Sequence, residues 1–319
     1  MNSPYGPAGG QVSRPQVSVR DLASWCQRHL NAVPAAELFT TGHLSLVKGL
    51  HLSDGRDVVV KVRPQAQRLN GCHATQEILH TKGFPCPLPL VGPAALNSLG
   101  ATAEMYVPGG EVLSPSPRTT ELYAEALAQM IATAPAPGEL PSVKPAPPWA
   151  GWDHDQAGIW PIADDRDADL NCRPGPAWLD SIGLRIRSRL ARPLTPEVIG
   201  HVDWEAHNLR WHGARLHAVH DWDSVASRPE AAVLGLAAAV HTASGEPLTE
   251  ATNEQIEGFL SAYEQARGRV LAIEEREVSW AAGLWVRAFN AKKDSLDGDG
   301  PSLDRLASEA PKRLRLAGA

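Results

Sequence analysis

The 319-residue chain is poor in the features that mark several large protein classes. Its four cysteines, Cys26, Cys72, Cys86 and Cys172, stand apart. No two form a C-x-x-C pair, so a zinc ribbon or dithiol redox centre finds no ligands. A long apolar run is also missing. The longest, AAVLGLAAAV at 231–240, is too short to span a bilayer and reads as a buried helix. The opening MNSPYGPAGGQVSRP contains no apolar stretch like that of a secretory signal. The expected setting is therefore a reducing cytoplasm with no membrane partner. There is no basic excess: the formal net charge of -6 argues against a nucleic-acid partner held by a broad cationic face. Internal repeats are absent too. At 43% hydrophobic residues, the chain has enough apolar material for a sizeable core.

The order of predicted elements places strands early and helices late. Residues 1–16, rich in Gly, Pro and Ser, read as a loose tail. A helix is predicted over Val19 to Leu30 with Ser18 as its cap. Two strands, about 44–52 and 57–63, meet at Asp54-Gly55, where glycine accepts positive φ without cost. Alternation puts Val58, Val60 and Val62 on one face of the second strand, and Val59, Lys61 and Arg63 on the other. A helix from about Ala66 to Lys82 follows, then a Pro-punctuated connector, PCPLPLVG. ATAEMYV, 101–107, reads as a strand broken by Pro108-Gly109-Gly110, a candidate hinge. Helices are predicted near 119–133, 177–191, 230–243, 252–268 and 272–292, before a charged tail. Residues 135–176 are irregular, with many prolines, Trp149, Trp152, Trp160 and a set of aspartates. The tryptophans favour an ordered insertion, lid or binding loop over a plain linker. This is an α+β, two-lobed plan.

The chemistry concentrates in HVDWEAHN, 201–208, and HDWD, 220–223. The intervening LRWHGARLHAV reads as a hairpin turning at His212-Gly213-Ala214. Such a hairpin returns Asp221 to the side of Asn208, and Asp203 lies on the same loop. Oxygen ligands of this kind suit Mg²⁺, which commonly binds one or two carboxylates together with phosphates.

H-x-D-x-x-x-x-N followed by a second Asp resembles the catalytic signature of kinase-like phosphotransferases. The Trp after each Asp makes the match more similar to the aminoglycoside phosphotransferase family of small-molecule kinases. The resemblance runs from about Phe39 to about Asn290. VVVKV, ATQEILHTKG and EMYVPGG fall upstream in the family's order. It implies a bilobal protein-kinase-like fold, with a small antiparallel-sheet N-lobe over 17–107 and a larger, mainly helical C-lobe over 108–319. ATP and Mg²⁺ would bind between them. In that scheme Asp203 is the catalytic base or the group that orients the acceptor hydroxyl, and Asn208 and Asp221 hold Mg²⁺. Lys61 contacts the α- and β-phosphates, Glu77 pairs with Lys61, and the backbone of Glu104, Tyr106 and Val107 meets adenine. His201 braces the loop against the backbone near Asp221.

The pattern departs from the family at Val202, where Gly is usual and a β-branched residue would resist positive φ. It also departs in TTGHLSLV, which lacks a full glycine-rich loop. Asp223 is expected to support the loop or reach a second metal. Trp152 or Trp160 is expected either in the core or stacked on a ligand. The implied reaction is O-phosphorylation of a hydroxyl on a small molecule. The first acceptor class is a cationic, aminoglycoside-like antibiotic. The alternatives are an amino sugar, choline or homoserine as acceptor, or a nucleotide-binding regulator without transfer activity.

Overall fold

The computed structural model describes residues 14–173, 175–191, 196–244, 250–296 and 301–319. The expected tail at 1–16 lies almost wholly outside them. After helix α1 (Val19–Leu30) comes a five-stranded antiparallel sheet of β1 (Pro34–Thr41), β2 (Leu46–Leu52), β3 (Asp57–Pro64), β4 (Pro89–Leu96) and β5 (Leu99–Met105). Its strand order is β1-β2-β3-β5-β4. Ser18 caps α1 as expected, its hydroxyl oxygen accepting from the Asp21 amide at 3.1 Å. Alternation in β3 has its predicted result. Val58, Val60 and Val62 are buried with Trp25 and Cys26 of α1 in one hydrophobic cluster, while Val59, Lys61 and Arg63 face the large cleft.

Two strands escaped the sequence reading. β1 has no buried residue and hence no apolar alternation to betray it. β4 carries Pro89 and Pro93 and was read as connector. It survives as a strand because it lies at the sheet edge, where a missing N–H costs no ladder bond.

Helix α2 (Leu69–Thr81) lies on the cleft side of the sheet and gives Cys72 and Leu79 to a second, larger cluster. That cluster is built from α3 (Pro117–Thr133), α4 (Ala177–Leu190), α5 (Glu230–Val240), α6 (Asn253–Arg267), α7 (Ile273–Asp294) and α8 (Pro301–Leu316). Two small antiparallel pairs sit at its top: β6 (Glu197–His201) with β9 (Val225–Pro229), and β7 (Leu209–His212) with β8 (Arg215–Val219). Residues 231–239 of α5 are buried all round, so the apolar run at 231–240 is a core helix. Among the described residues no helix is long and apolar enough to cross a membrane. The expected charged tail is instead the amphipathic α8, whose Leu306, Ala310 and Leu314 are buried.

The insertion at 135–176 is irregular but anchored. Trp160 stacks on Trp285 with ring centroids 5.5 Å apart and donates its indole N–H to Asp180 at 2.7 Å. Arg228, buried, forks onto both oxygens of Asp153 at 2.6 Å and lies 4.6 Å over the Trp152 ring. Trp152 and Trp160 are thus core residues, and neither has a free face for a ligand.

Helices α5 and α7 approach at glycines. A Cβ on Gly235 would stand 1.9 Å from the Ser279 carbonyl oxygen, which is backbone and cannot swing aside. Gly235→Ala should therefore lower the unfolding free energy by about 1–3 kcal/mol or more, read by urea titration. An unchanged midpoint would mean that the two helices are free to separate.

At the end of α5, burial pushes His241 down to about 4 from an ordinary value of 6.5. The unfolded imidazole then takes a proton before the folded one. Its contribution is complete above about pH 6.5 and is lost as pH falls toward about 4. His241→Gln removes this titration. The stability difference between wild type and variant should shrink by about 1–2 kcal/mol between pH 8 and pH 5. A constant difference would show that the folded imidazole protonates normally.

Candidate active site

β6 delivers the buried imidazole of His201 at the start of HVDWEAHN. Its Nε2 lies 3.0 Å from the His220 carbonyl oxygen, and its Nδ1 lies 3.3 Å from the Asp203 amide nitrogen. A carbonyl only accepts and an amide N–H only donates, so Nε2 carries the proton and Nδ1 accepts. Burial holds the ring below its usual pKa and so keeps this neutral tautomer, against the charge of Asp221. His201 therefore ties the Asp203 loop to the residue before Asp221. The paired Trp residues form its walls. Trp204 and Trp222 meet the imidazole edge-on, and their indole N–H groups donate to the carbonyls of Tyr123 and Val219.

Val202 brings none of the strain expected of it. The non-glycine residues at positive φ among the described residues are Asn31, Asn97 and Asp221, so Val202 needs no conformation that β-branching resists. Its N–H donates to Ser224 O at 3.0 Å, and its carbonyl accepts the indole N–H of Trp149 at 3.0 Å. The insertion thereby grips the motif loop.

Asp203 is half-buried at the cleft. The amide nitrogen of Asn208 donates to its backbone oxygen at 2.9 Å and to its carboxylate at 3.1 Å. Those bonds occupy the side-chain nitrogen and leave the side-chain carbonyl oxygen, Asn208 Oδ1, for another partner. The predicted hairpin forms, with Gly213 at φ 58° in its turn, and the His220 amide donates to Asn208 O at 2.8 Å. The next residue, Asp221, is left-handed at φ 64° and ψ 48°. Asp tolerates this region better than most residues. One Asp221 oxygen accepts from Lys61 and the other from Ser224 Oγ at 2.9 Å. Burial alone would raise the Asp221 carboxyl. The charge and hydrogen bond of Lys61, with the charge of Arg63, outweigh it and hold the group well below the carboxylate range. The neighbouring carboxyls go the other way. Burial and the Asp221 charge raise Asp203, and burial and the Asp203 charge raise Glu205.

Glu77 is not part of this arrangement. On α2, Cys72, Gln76 and Leu79 turn inward, and Glu77 lies one residue round the helix from Gln76, exposed. The anions that hold Lys61 are Asp221 and Asp223. Gln76 instead donates to Glu104 at 2.7 Å, and burial raises that carboxyl. Glu104 thus turns its side chain into the cleft, opposite Val59 in the β3–β5 register. The Tyr106 amide is spent on Asp57 O at 3.0 Å, so it has no donor left for a base. The amide of Val107 has no backbone partner among the described residues, and Val107 lines the cleft. Phe39 of β1 packs against the Tyr106 ring at 5.6 Å and gives the cleft an apolar roof.

A family model described as the phosphotransferase enzyme family, APH, matches residues 36–273. The chain belongs to this family. It is thus a phosphotransferase. No curated protein sequence is significantly similar to it. Solved structures share the fold at low identity. An amicoumacin kinase bound to AMP-PNP, Ca²⁺ and Ami is 10% identical, with TM-score 0.63 over 88% of each chain. A spectinomycin phosphotransferase bound to ADP and spectinomycin is 12% identical, with TM-score 0.56 over 95% of this chain and 94% of that one. A choline/ethanolamine kinase family protein from Mesorhizobium loti is 17% identical, with TM-score 0.52 over 93% of this chain and 91% of that one.

In this phosphotransferase the cleft is a cavity of about 1870 Å³. The sheet and the segment after it contribute Phe39, Val59, Glu104 and Val107 to its lining. The rest of the chain contributes an acidic set: Glu205, the insertion acids Asp155, Asp164 and Asp165, and Asp294 of α7, near Asn290. Lys293 pairs with Asp165 at 2.9 Å, while burial and Asp165 raise Asp164. Arg63, Phe39, Gln76 and Trp149 were not foreseen as site residues. Strand alternation with Lys61 already placed Arg63 on the cleft face; nothing in the sequence marked the other three.

Trp149→Phe keeps an aromatic ring, though a smaller one, and deletes the donor to Val202. A buried carbonyl left unpaired should cost about 1–3 kcal/mol in unfolding free energy. Equilibrium unfolding of the variant tests the clamp, and no loss would mean that the insertion does not hold the loop.

Proposed function

We propose that the protein transfers the γ-phosphoryl group of ATP, with Mg²⁺, to a hydroxyl on a cationic, antibiotic-sized molecule. The observation that carries this reading is the placement of Asp203. Its half-buried carboxylate lines the same cleft as Lys61, Asn208 and Asp221, and it feels the charges of Asp221, Lys61 and Asp164, with Glu205 beside it. The polyphosphate would lie against Lys61, with the base on the apolar roof and the Val107 amide as its donor. Lys61 and Asp221, paired in the free protein, would separate as phosphate and metal arrive.

The donors suit Mg²⁺: the ionised oxygens of Asp221 and the spare carbonyl oxygen of Asn208. No cluster of three or more His, Cys, Asp or Glu among the described residues could hold a metal ion, so the phosphates would complete its coordination. When bound, the ion supplies neutralisation of charge on the β- and γ-phosphates. The chain's own groups orient the reaction. Asn208 aims the Asp203 carboxylate, and Asp203 accepts the proton of the acceptor hydroxyl as the oxygen attacks phosphorus. His201 keeps the loop in register. Its pKa lies below the usual value and its ring nitrogens are spent on backbone, so it is not the base.

Two observations support a bulky cationic acceptor. The cleft lining offers the acids Glu205, Asp155, Asp164 and Asp294 to an amine. The cavity of about 1870 Å³ also exceeds the roughly 300–1,000 Å³ that encloses one drug-sized ligand. Space for a second molecule of that size favours an antibiotic over choline, homoserine or a single amino sugar.

ADP release from Mg²⁺-ATP, wild type beside Asp203→Ala, over a panel of aminoglycosides, cyclic-peptide antibiotics, macrolides, amino sugars, choline and homoserine tests the reading. One acceptor should stimulate the wild type, and Asp203→Ala should lose roughly 10²–10⁴-fold of that rate while still binding ATP. Asp221→Ala should lose metal-dependent ATP binding. Normal turnover in Asp203→Ala would end the assignment. ATP binding without turnover on any acceptor would favour a nucleotide-binding regulator.

A further inference from the structure

The family resemblance assigns the orientation of the strand lysine to a helix glutamate, yet Glu77 faces solvent. Something else holds Lys61. Its Nζ donates to one carboxylate oxygen of Asp223, and Arg63 pairs with the other oxygen. Asp223 is fixed at its backbone as well. Arg68, at the start of α2, donates Nη1 to Asp223 O at 2.7 Å and Nη2 to Val225 O at 2.5 Å. Its Nε reaches Val143 O at 3.3 Å, so the guanidinium is spent entirely on backbone. The Lys61, Arg63 and Asp223 side chains are only 18%, 12% and 23% exposed. A carboxylate shared by two cations in so enclosed a place has little freedom to rotate.

We propose that Asp223, clamped by Arg63 and Arg68, is the positioning residue for Lys61 and replaces the helix glutamate in that duty. This rests on the phosphotransfer reading of the cleft. The β3 register explains why the device works. Lys61 and Arg63 are two apart on one strand, so they emerge on the same face, side by side. Each takes one oxygen of a single carboxylate that approaches from below. Asp221 also binds Lys61, but a metal would compete for that oxygen. Asp223 is the partner Lys61 keeps once Asp221 turns to the ion. Glu104 cannot substitute, because Gln76 and not Lys61 is its hydrogen-bond partner. The rival role for Asp223 is that of a second metal ligand, and the two roles differ in what they do to Lys61 and to metal affinity.

The test is a double-mutant cycle on the full chain. ATP affinity is measured by equilibrium binding with and without Mg²⁺, alongside the Mg²⁺ midpoint and thermal unfolding. Arg63→Met and Asp223→Asn should each weaken ATP binding about tenfold in wild type and have almost no effect in a Lys61→Met background. The Mg²⁺ midpoint should stay put, and Arg63→Lys should restore part of the loss. If Asp223→Asn does not fold, the Arg63→Met and Lys61→Met pair closes the same cycle. Multiplying effects in the double variant would overturn the proposal, because Arg63 would then not act through Lys61. So would a tenfold rise in the Mg²⁺ midpoint for Asp223→Asn, which would make Asp223 a metal ligand. A wild type that binds no ATP at all would instead fail the underlying reading.

Discussion

The ion pair between Lys61 and Asp221 is the interaction on which the rest of this site depends. Lys61 belongs to a sheet whose core is one hydrophobic cluster, and Asp221 to a loop resting on the other. The pair closes the cleft between them. As a source of stability it is a poor choice. Removing two charges from water costs several kcal/mol per ion, and attraction in the interior only roughly returns it. On the proposed reading, the pair stores a cation and an anion, both desolvated, where a polyphosphate and a divalent ion would take the opposite partners. The cost is met in folding and not at the moment of binding, which is the logic of a preorganised electrostatic site.

Such a site needs a stiff floor. A Cβ on Gly200 would come within 2.4 Å of Val233, so β6 lies directly against the all-apolar α5. The strand that launches His201 is thus seated on the most buried helix of the protein. His201, its tautomer fixed by two backbone bonds and its ring held between two tryptophans, passes that rigidity to Asp203 and His220. Each layer holds the next through backbone atoms and rings, while the Asp203 carboxylate accepts from Asn208 and the two Asp221 oxygens accept from Lys61 and Ser224.

What could be read from the sequence followed from how far apart the cooperating residues are. His201, Asp203, Asn208 and Asp221 fall within one loop and one hairpin, so spacing alone brought them together. The period of β3 put Lys61 on the face opposite the buried valines, and the family resemblance singled it out there. Glu77 failed because its placement needs the phase of a helix, and the pattern around it is ambiguous. Gln76 turns inward as a polar residue and Glu77 faces out, so composition points to the wrong one. The partnership of Arg63, Arg68 and Asp223 spans more than 150 residues and could not be read from either end. β1 and β4 escaped because edge strands need neither alternation nor freedom from proline, and α8 because charge along one face of a helix resembles a solvated tail.

The insertion shows how such a chain can separate specificity from stability. Its Trp152, Trp160 and Asn171 point inward, onto Arg228, Trp285 and the backbone of 159 and 160. Its Asp155, Asp164 and Asp165 point toward the cleft. Trp152, Trp160 and Asn171 only anchor, whereas Trp149 and Asp153 line the cleft while holding the Val202 carbonyl and Arg228. A change at Asp155 or Asp164 leaves the anchors in place, whereas a change at Trp149 disturbs the wall and, through the Val202 carbonyl, the loop that carries Asp203. The solved structures that share this fold are 10–17% identical to the chain, and they include a spectinomycin phosphotransferase and a choline/ethanolamine kinase family protein.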